Sequence, residues 1–279
     1  MSVVAVGSVR SCGATTLALG LVATSPDGRR ALLAELDPAG GTLAAAAGWA
    51  PEPSLVSLAA AARRGGDPEL VFEHCQSLPG GAAALAAPAS ADQARAALGM
   101  LGALIGRMGE LDAGVVFDCG RLDPGSPALA VLERADRVLV AVRPRLADLH
   151  AVATWLGGHP FAHGSLRLVA IGDGPYKDEE IADALCVPVA ARLPWDPEAA
   201  QALALVPASS RQLRMVPLVR AARTLADRLA GDVAQEPGVE VAGASVGTSA
   251  RTARRALGAL RTRPAVASAN GSSPEGASS

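Results

Sequence analysis

Short, mostly apolar runs recur along this chain, and each ends at or close to a glycine, a proline or a charged residue. The clearest span residues 2–6, 31–35, 115–117, 138–142, 166–171 and 189–193, with a weaker one at 82–87 just before Pro88. They do not alternate apolar with polar, as a half-exposed strand would, so they read as strands buried on both faces. Helix-forming stretches fall between them, at 15–24, 54–64, 68–77, 91–108, 146–156, 177–185, 198–205 and 217–230. This alternation predicts an α/β chain with a doubly wound, mostly parallel sheet flanked by helices. Ligands of such sheets bind beyond the carboxyl ends of the strands. Residues 7–16, Asp37, Asp118 and Asp196 all follow predicted strands.

The 279 residues fit one large domain at 1–230 and a tail at 231–279 rich in Gly, Ser, Ala, Thr and Pro, which reads as disordered. The tail carries a basic segment, 251–263, whose only bulky apolar residues are Leu257 and Leu260. It reads as a solvated charged segment, with only weak membrane contact. Half the chain is apolar but only 3% is aromatic, so its layers must pack through Ala, Val and Leu. A formal net charge of −2 exerts no global pull on nucleic acid or an anionic membrane. DNA as a partner is therefore disfavoured.

The cysteines, Cys12, Cys75, Cys119 and Cys186, contain no C-x-x-C pair. They predict reduced thiols in a cytoplasmic protein rather than zinc or a disulfide framework. No basic leader precedes residues 2–6, and the oiliest stretch, 96–105, is too short to span a bilayer. The four histidines form no metal set, and no G-x-S-x-G elbow is present.

The first loop reads Gly7-Ser8-Val9-Arg10-Ser11-Cys12-Gly13-Ala14-Thr15-Thr16 and joins a strand to a helix, where a Walker A phosphate loop belongs. In such a loop backbone N–H groups and a helix N-terminus cradle phosphates, a lysine meets the β/γ oxygens, and the next hydroxyl holds Mg²⁺. Gly13 and Thr15 stand in register with the last glycine and the threonine, but the lysine position is Ala14. Lys177 is the only lysine in the chain, and Arg10 is the one cation in the loop. Arg10 reads either as a bidentate phosphate donor or as a solvent-facing loop arginine.

Five stretches in order extend this reading. Residues 13–21 resemble the G-K-T-T-x-A-x-x-L of the ParA/MinD-type ATPases, a P-loop family with a deviant Walker A motif. Residues 32–41 resemble its L-L-V-D-x-D-P-Q-G strand, 115–120 its Walker B-like strand, 135–142 its A-D-x-V-L-V-V strand, and 193–196 its I-P-x-D. The resemblance covers residues 1–230. It implies a P-loop fold that binds ATP or ADP with Mg²⁺, weakly here, on Gly7, Arg10, Ser11, Cys12, Gly13, Ala14, Thr15 and Thr16. It places Pro194 and Asp196 near the base, Thr15 and Asp118 at the metal, and Asp37 as a catalytic residue orienting water or metal. It also implies a homodimer. Plainer roles fit the same residues: Thr15 and Thr16 as helix caps, Asp37 as a turn cap, and Asp118 as an acceptor at a strand end.

The family's signature lysine that reaches across the dimer aligns with Val9, and the catalytic lysine with Ala14. Without that lysine, turnover is expected to be lost or very slow, which makes the chain a pseudo-ATPase. Through Ala14 and the stretches at 172–176 and 193–197, the chain also resembles actinobacterial TadZ/CpaE-like members associated with pilus-assembly and secretion clusters. That likeness implies a positioning factor that marks a cell pole or membrane site and recruits a protein partner. Two other functions stay open: a slow Mg-ATP-dependent ATPase partitioning DNA or cargo, and a nucleotide-independent interaction module.

Overall fold

A computed structural model describes residues 3–25, 30–63, 66–159 and 165–235. An eight-stranded sheet runs through it in the order β3-β4-β2-β5-β1-β6-β7-β8. The strands are β1 (Val3–Ser8), β2 (Ala31–Glu35), β3 (Gln76–Ser77), β4 (Ala83–Leu85), β5 (Gly114–Arg121), β6 (Arg137–Val142), β7 (Leu166–Ile171) and β8 (Val189–Leu193). All neighbours pair in parallel except the edge hairpin β3–β4. All six residues of β1 are buried, as are all of β2 and β6. This is the double-sided burial that their unbroken apolar runs require.

Alternate residues feed two cores. Val3, Ala5, Leu32 and Ala34 face one side, covered by α3 (Leu55–Ala62), α4 (Ala91–Ile105), α5 (Leu129–Leu132), α6 (Leu146–Leu156) and α7 (Asp178–Leu185). Val4, Val6 and Leu33 face the other, covered by α1 (Ala14–Ala23), α2 (Leu43–Ala47), α8 (Pro197–Leu203) and α9 (Pro217–Gln235). The small-residue composition shows in the spacing of these layers. α1 lies so close to α9 that a Cβ on Gly20 would stand 3.0 Å from Ala222 Cβ.

Several elements differ from expectation for local reasons. β1 runs on through Gly7 and Ser8 because Ser8 pairs with Ala141 of β6. The stretch 68–77 is not one helix. Proline at its first position opens a 3₁₀ turn, Pro68–His74, and extended backbone at Cys75 then leads into β3. The predicted helix 91–108 stops at Ile105, before Gly106, and a 3₁₀ turn follows at Met108–Glu110. α2 and α5 are too short to stand out in the sequence. α9 passes the expected domain boundary at 230, and the rest of the tail, with segment 251–263, lies outside the described residues. Among the described residues no helix is long and apolar enough to cross a membrane.

Leu101 on α4 is fully buried in the first core. Leu101→Ala leaves a cavity there, with an expected loss of about 2–5 kcal/mol of stability, measured as a lower urea midpoint at unchanged slope.

Candidate functional site

The central strand β1 lies between β5 and β6, where the winding of the chain changes direction. The ends of these three strands therefore frame a crevice, and the loop after β1 lies in it. Two left-handed residues shape this loop, Ser11 (φ 36°) and Gly13 (φ 100°). Gly13 is the N-cap of α1; no side chain caps that end, and open space surrounds its Cβ position. The first N–H groups of a ten-residue helix thus point into the crevice.

The predicted loop residues divide by role. Gly7 is a packing glycine, since a Cβ there would come within 2.6 Å of the Leu122 side chain. Ser11 and Arg10 are exposed, Arg10 on the turn after β1. Cys12 is buried and donates from Sγ to Ala141 O at 2.9 Å, fastening the loop to β6. Burial, with the charge of Asp148, pushes the Cys12 thiol up to about 11 against the charge and backbone N–H of Arg143. Ala14 is buried in the second core, so the lysine position carries only a methyl group. Thr15 and Thr16 are half-buried.

The Thr15 hydroxyl lies against Asp118, which register places beside Val6 of β1 and Glu35 of β2. Asp118 Oδ1 accepts the Gly120 N–H at 3.0 Å, while Oδ2 is buried with no hydrogen-bond partner. Burial raises its pKa from 3.8 to about 7; the Thr15 hydroxyl opposes the rise, and the Glu35 charge adds to it. Asp37 accepts the Ala39 N–H at 2.7 Å and the Arg121 N–H, capping its turn and bridging β2 to β5. Its carboxylate presses on Gly120, where a Cβ would fall 1.9 Å from Asp37 Oδ2. Burial raises its pKa as well.

On the other side of the loop, Gly13, Thr16 and Leu17 share an apolar cavity of about 230 Å³ with Pro194, Trp195 and Asp196. Asp196 is also the N-cap of α8, accepting the Ala199 N–H at 2.9 Å. The predicted residues thus fall into two groups on either side of Gly13–Thr16. Asp118 and Asp37 stand toward β2 and β5, and Pro194 and Asp196 toward β8. Among the described residues no three His, Cys, Asp or Glu side chains converge as a metal-ligand set. A cation at Asp118 would therefore complete its shell from Thr15, water and a bound anion.

Two residues escaped the sequence reading. Glu35 is buried, and Oε1 accepts the N–H groups of Thr42 and Leu43 while Oε2 accepts that of Ala87, at 2.7, 3.1 and 3.0 Å. It holds the loop after β2 against the end of β4, and burial raises its pKa. An acidic residue closing an apolar run was the available signal. Arg143, at the end of β6, places its guanidinium 4.4 Å from the centre of the Trp195 ring. No motif marks it.

No protein-family model and no curated protein matches the chain. Solved structures do. The ParA family ATPase of Chlorobium tepidum superposes with a TM-score of 0.65 at 14% identity, covering 81% of this chain and 98% of its own. The cell division ATPase MinD of Pyrococcus furiosus gives 0.64 at 20% identity, covering 82% and 98%. The MinD of Pyrococcus horikoshii, complexed with Mg-ADP, gives 0.61 at 18%, covering 84% and 98%. Identities this low speak for architecture alone, and the chain has the ParA/MinD-type P-loop ATPase fold.

Proposed function

We propose that this chain is a ParA/MinD-like nucleotide-binding protein that works as a positioning scaffold, binding Mg-ATP or Mg-ADP with little or no hydrolysis. The observation that carries this reading is the pairing of Ala14 in place of the loop lysine with a phosphate loop otherwise intact in backbone. Left-handed Gly13 opens an uncapped helix end into the crevice. Beside it Asp118 lies against the Thr15 hydroxyl, and its buried Oδ2 has no hydrogen-bond partner within ordinary geometry. An orphan carboxylate oxygen is costly unless it serves a ligand, so the residues present fit a hydrated Mg²⁺ and the phosphates it accompanies.

In this reading the N–H groups of residues 13–16 bind phosphate, Thr15 and Asp118 hold the cation, the latter through water, and Pro194 and Asp196 flank the base. Bound Mg²⁺ supplies charge neutralisation at the phosphates. Phosphoryl transfer depends almost wholly on positive charge and positioning at the γ-phosphate. The methyl of Ala14 provides neither, so the nucleotide acts as a structural element. Asp37 keeps both of its backbone contacts and orders the loop after β2.

The scaffold acts as a homodimer in the cytoplasm, at the membrane periphery or a cell pole, and engages a protein of a pilus-assembly or secretion system. Support for a protein partner comes from the resemblance to TadZ/CpaE-like proteins. A similar structure is that of a MinC:MinD cell division complex.

Calorimetric titration of Mg-ADP and Mg-ATP is expected to show binding, and thermal stability should rise with ligand concentration. Steady hydrolysis at the rate of a lysine-bearing relative would overturn the pseudo-ATPase reading. Ala14→Lys should tighten nucleotide binding by about tenfold or more, the worth of one hydrogen bond to a charged group.

Asp118→Asn provides a second check. A folded-state pKa above the ordinary value means that the native protein holds this proton more tightly, so the contribution of Asp118 to stability falls as pH rises from about 4 to about 7 and is flat beyond, on top of slopes of the same sign from Glu35 and Asp37. The asparagine variant should lose that slope and be more stable at pH 8 by a few kcal/mol, on the order of the shift converted at 1.36 kcal/mol per unit. It should also lose the Mg²⁺ dependence of nucleotide binding. Thermal melts across pH and titrations with and without Mg²⁺ read out both effects.

A further inference from the structure

The crevice holds Asp118, Asp37 and Glu35 on one side, and its phosphate loop lacks a lysine. Positive charge for an anion must therefore come from an arginine. Arg10, Arg121, Arg143 and Arg145 lie at the carboxyl ends of β1, β5 and β6. Arg121 is engaged with Asp123 at 3.1 Å, and Arg10 and Arg145 are exposed.

Arg143 differs. It is half-buried, it has no ion-pair partner among the described residues, and its backbone N–H and charge reach Cys12 of the loop. Its guanidinium lies over Trp195, whose ring lines the cavity that Gly13 and Thr16 also line. The platform is built from close backbone contacts. A Cβ on Gly174 would sit 2.3 Å from Pro144 O, which seats the residue after Arg143 against the loop after β7. Gly172, at φ 75°, allows Trp195 to pack on it, and a Cβ there would stand 3.1 Å from Trp195 Cβ. Arg192 donates to Gly172 O at 2.9 Å and to Tyr176 O at 3.0 Å, fixing the same loop. A guanidinium stacked by its face keeps its in-plane N–H groups available, in the fork that matches phosphate oxygens.

We propose that Arg143, held on Trp195, supplies the positive charge that the phosphate loop lacks and binds the phosphates of a nucleoside di- or triphosphate seated on residues 13–16. This assignment rests on the nucleotide reading above. It moves the cation from the strand–loop–helix motif to the neighbouring strand end, so the phosphates are held between β1 and β6.

The test is equilibrium binding of Mg-ADP and of inorganic pyrophosphate to the full chain, followed by calorimetry and by the change in tryptophan fluorescence, compared with that of Trp195→Phe. Arg143→Ala should weaken both ligands by about tenfold or more. Arg143→Lys should recover part of the loss, because a point charge returns without the fork, and Arg107→Ala, at an exposed arginine paired with Glu110 away from the crevice, should leave both affinities unchanged. Arg143→Gln, which removes the charge but keeps a planar polar end on a shorter side chain, serves if the alanine variant does not fold by circular dichroism, with the same weakening expected. Wild-type binding that either folded variant retains in full would overturn the assignment and leave the nucleotide reading standing. A wild-type chain that binds neither probe would overturn both.

Discussion

The burial of the central strands on both faces is the constraint on which the rest of this structure depends. β1, β2 and β6 offer no exposed surface along their lengths. Polar chemistry is therefore pushed to their carboxyl ends, where chain reversal leaves backbone groups open. Asp118 is the one acid set into a strand interior, and its unpartnered oxygen shows how costly that position is. The loop after β1, the turn at Asp37 and the Trp195 corner all occupy this one edge.

Around that edge, carboxylates serve as fasteners before they serve as ligands. Glu35 gathers three backbone N–H groups from two other segments. Asp37 gathers two, from its own turn and from β5, and Asp196 caps α8. Buried hydrogen bonds to a charged acceptor are each worth about 1.5–3 kcal/mol. The same side chains that a nucleotide would meet thus hold the loops in place. The capping roles of Asp37 and Asp196 are the ones their contacts display.

Much of this was legible in the residues. Apolar runs without alternation located β2, β7 and β8 to the residue, and the order of five motifs pointed to the architecture. Legibility failed where tertiary pairing outweighed local pattern. Gly7 and Ser8 read as loop but are strand, because β6 offers them partners. Gln76 and Ser77 read as helix but pair with β4. At the site, the spacing put Gly13 and Thr15 in register with a phosphate loop, and the resemblance drew attention to Asp118. Neither could foresee that Gly7 serves Leu122, that Glu35 is a three-armed clamp, or that the best-placed arginine stands on another strand than the motif. Such facts depend on which strand ends become neighbours, and no local window contains them.

The contacts at the end of β5 have a mechanical consequence. Leu122 fills the space beside Gly7, Leu122 N–H is bonded to Ser8 O, and Gly120 carries the weight of the Asp37 carboxylate. The start of the phosphate loop, the tip of β5 and the turn after β2 are therefore geared together with no slack. Through Gly120, Asp118 is tied to the Asp37 turn after β2, and through Leu122 the tip of β5 is tied to the start of the phosphate loop. The turn after β2, although distant in sequence from the phosphate loop, thus shares with it one set of contacts at the tip of β5.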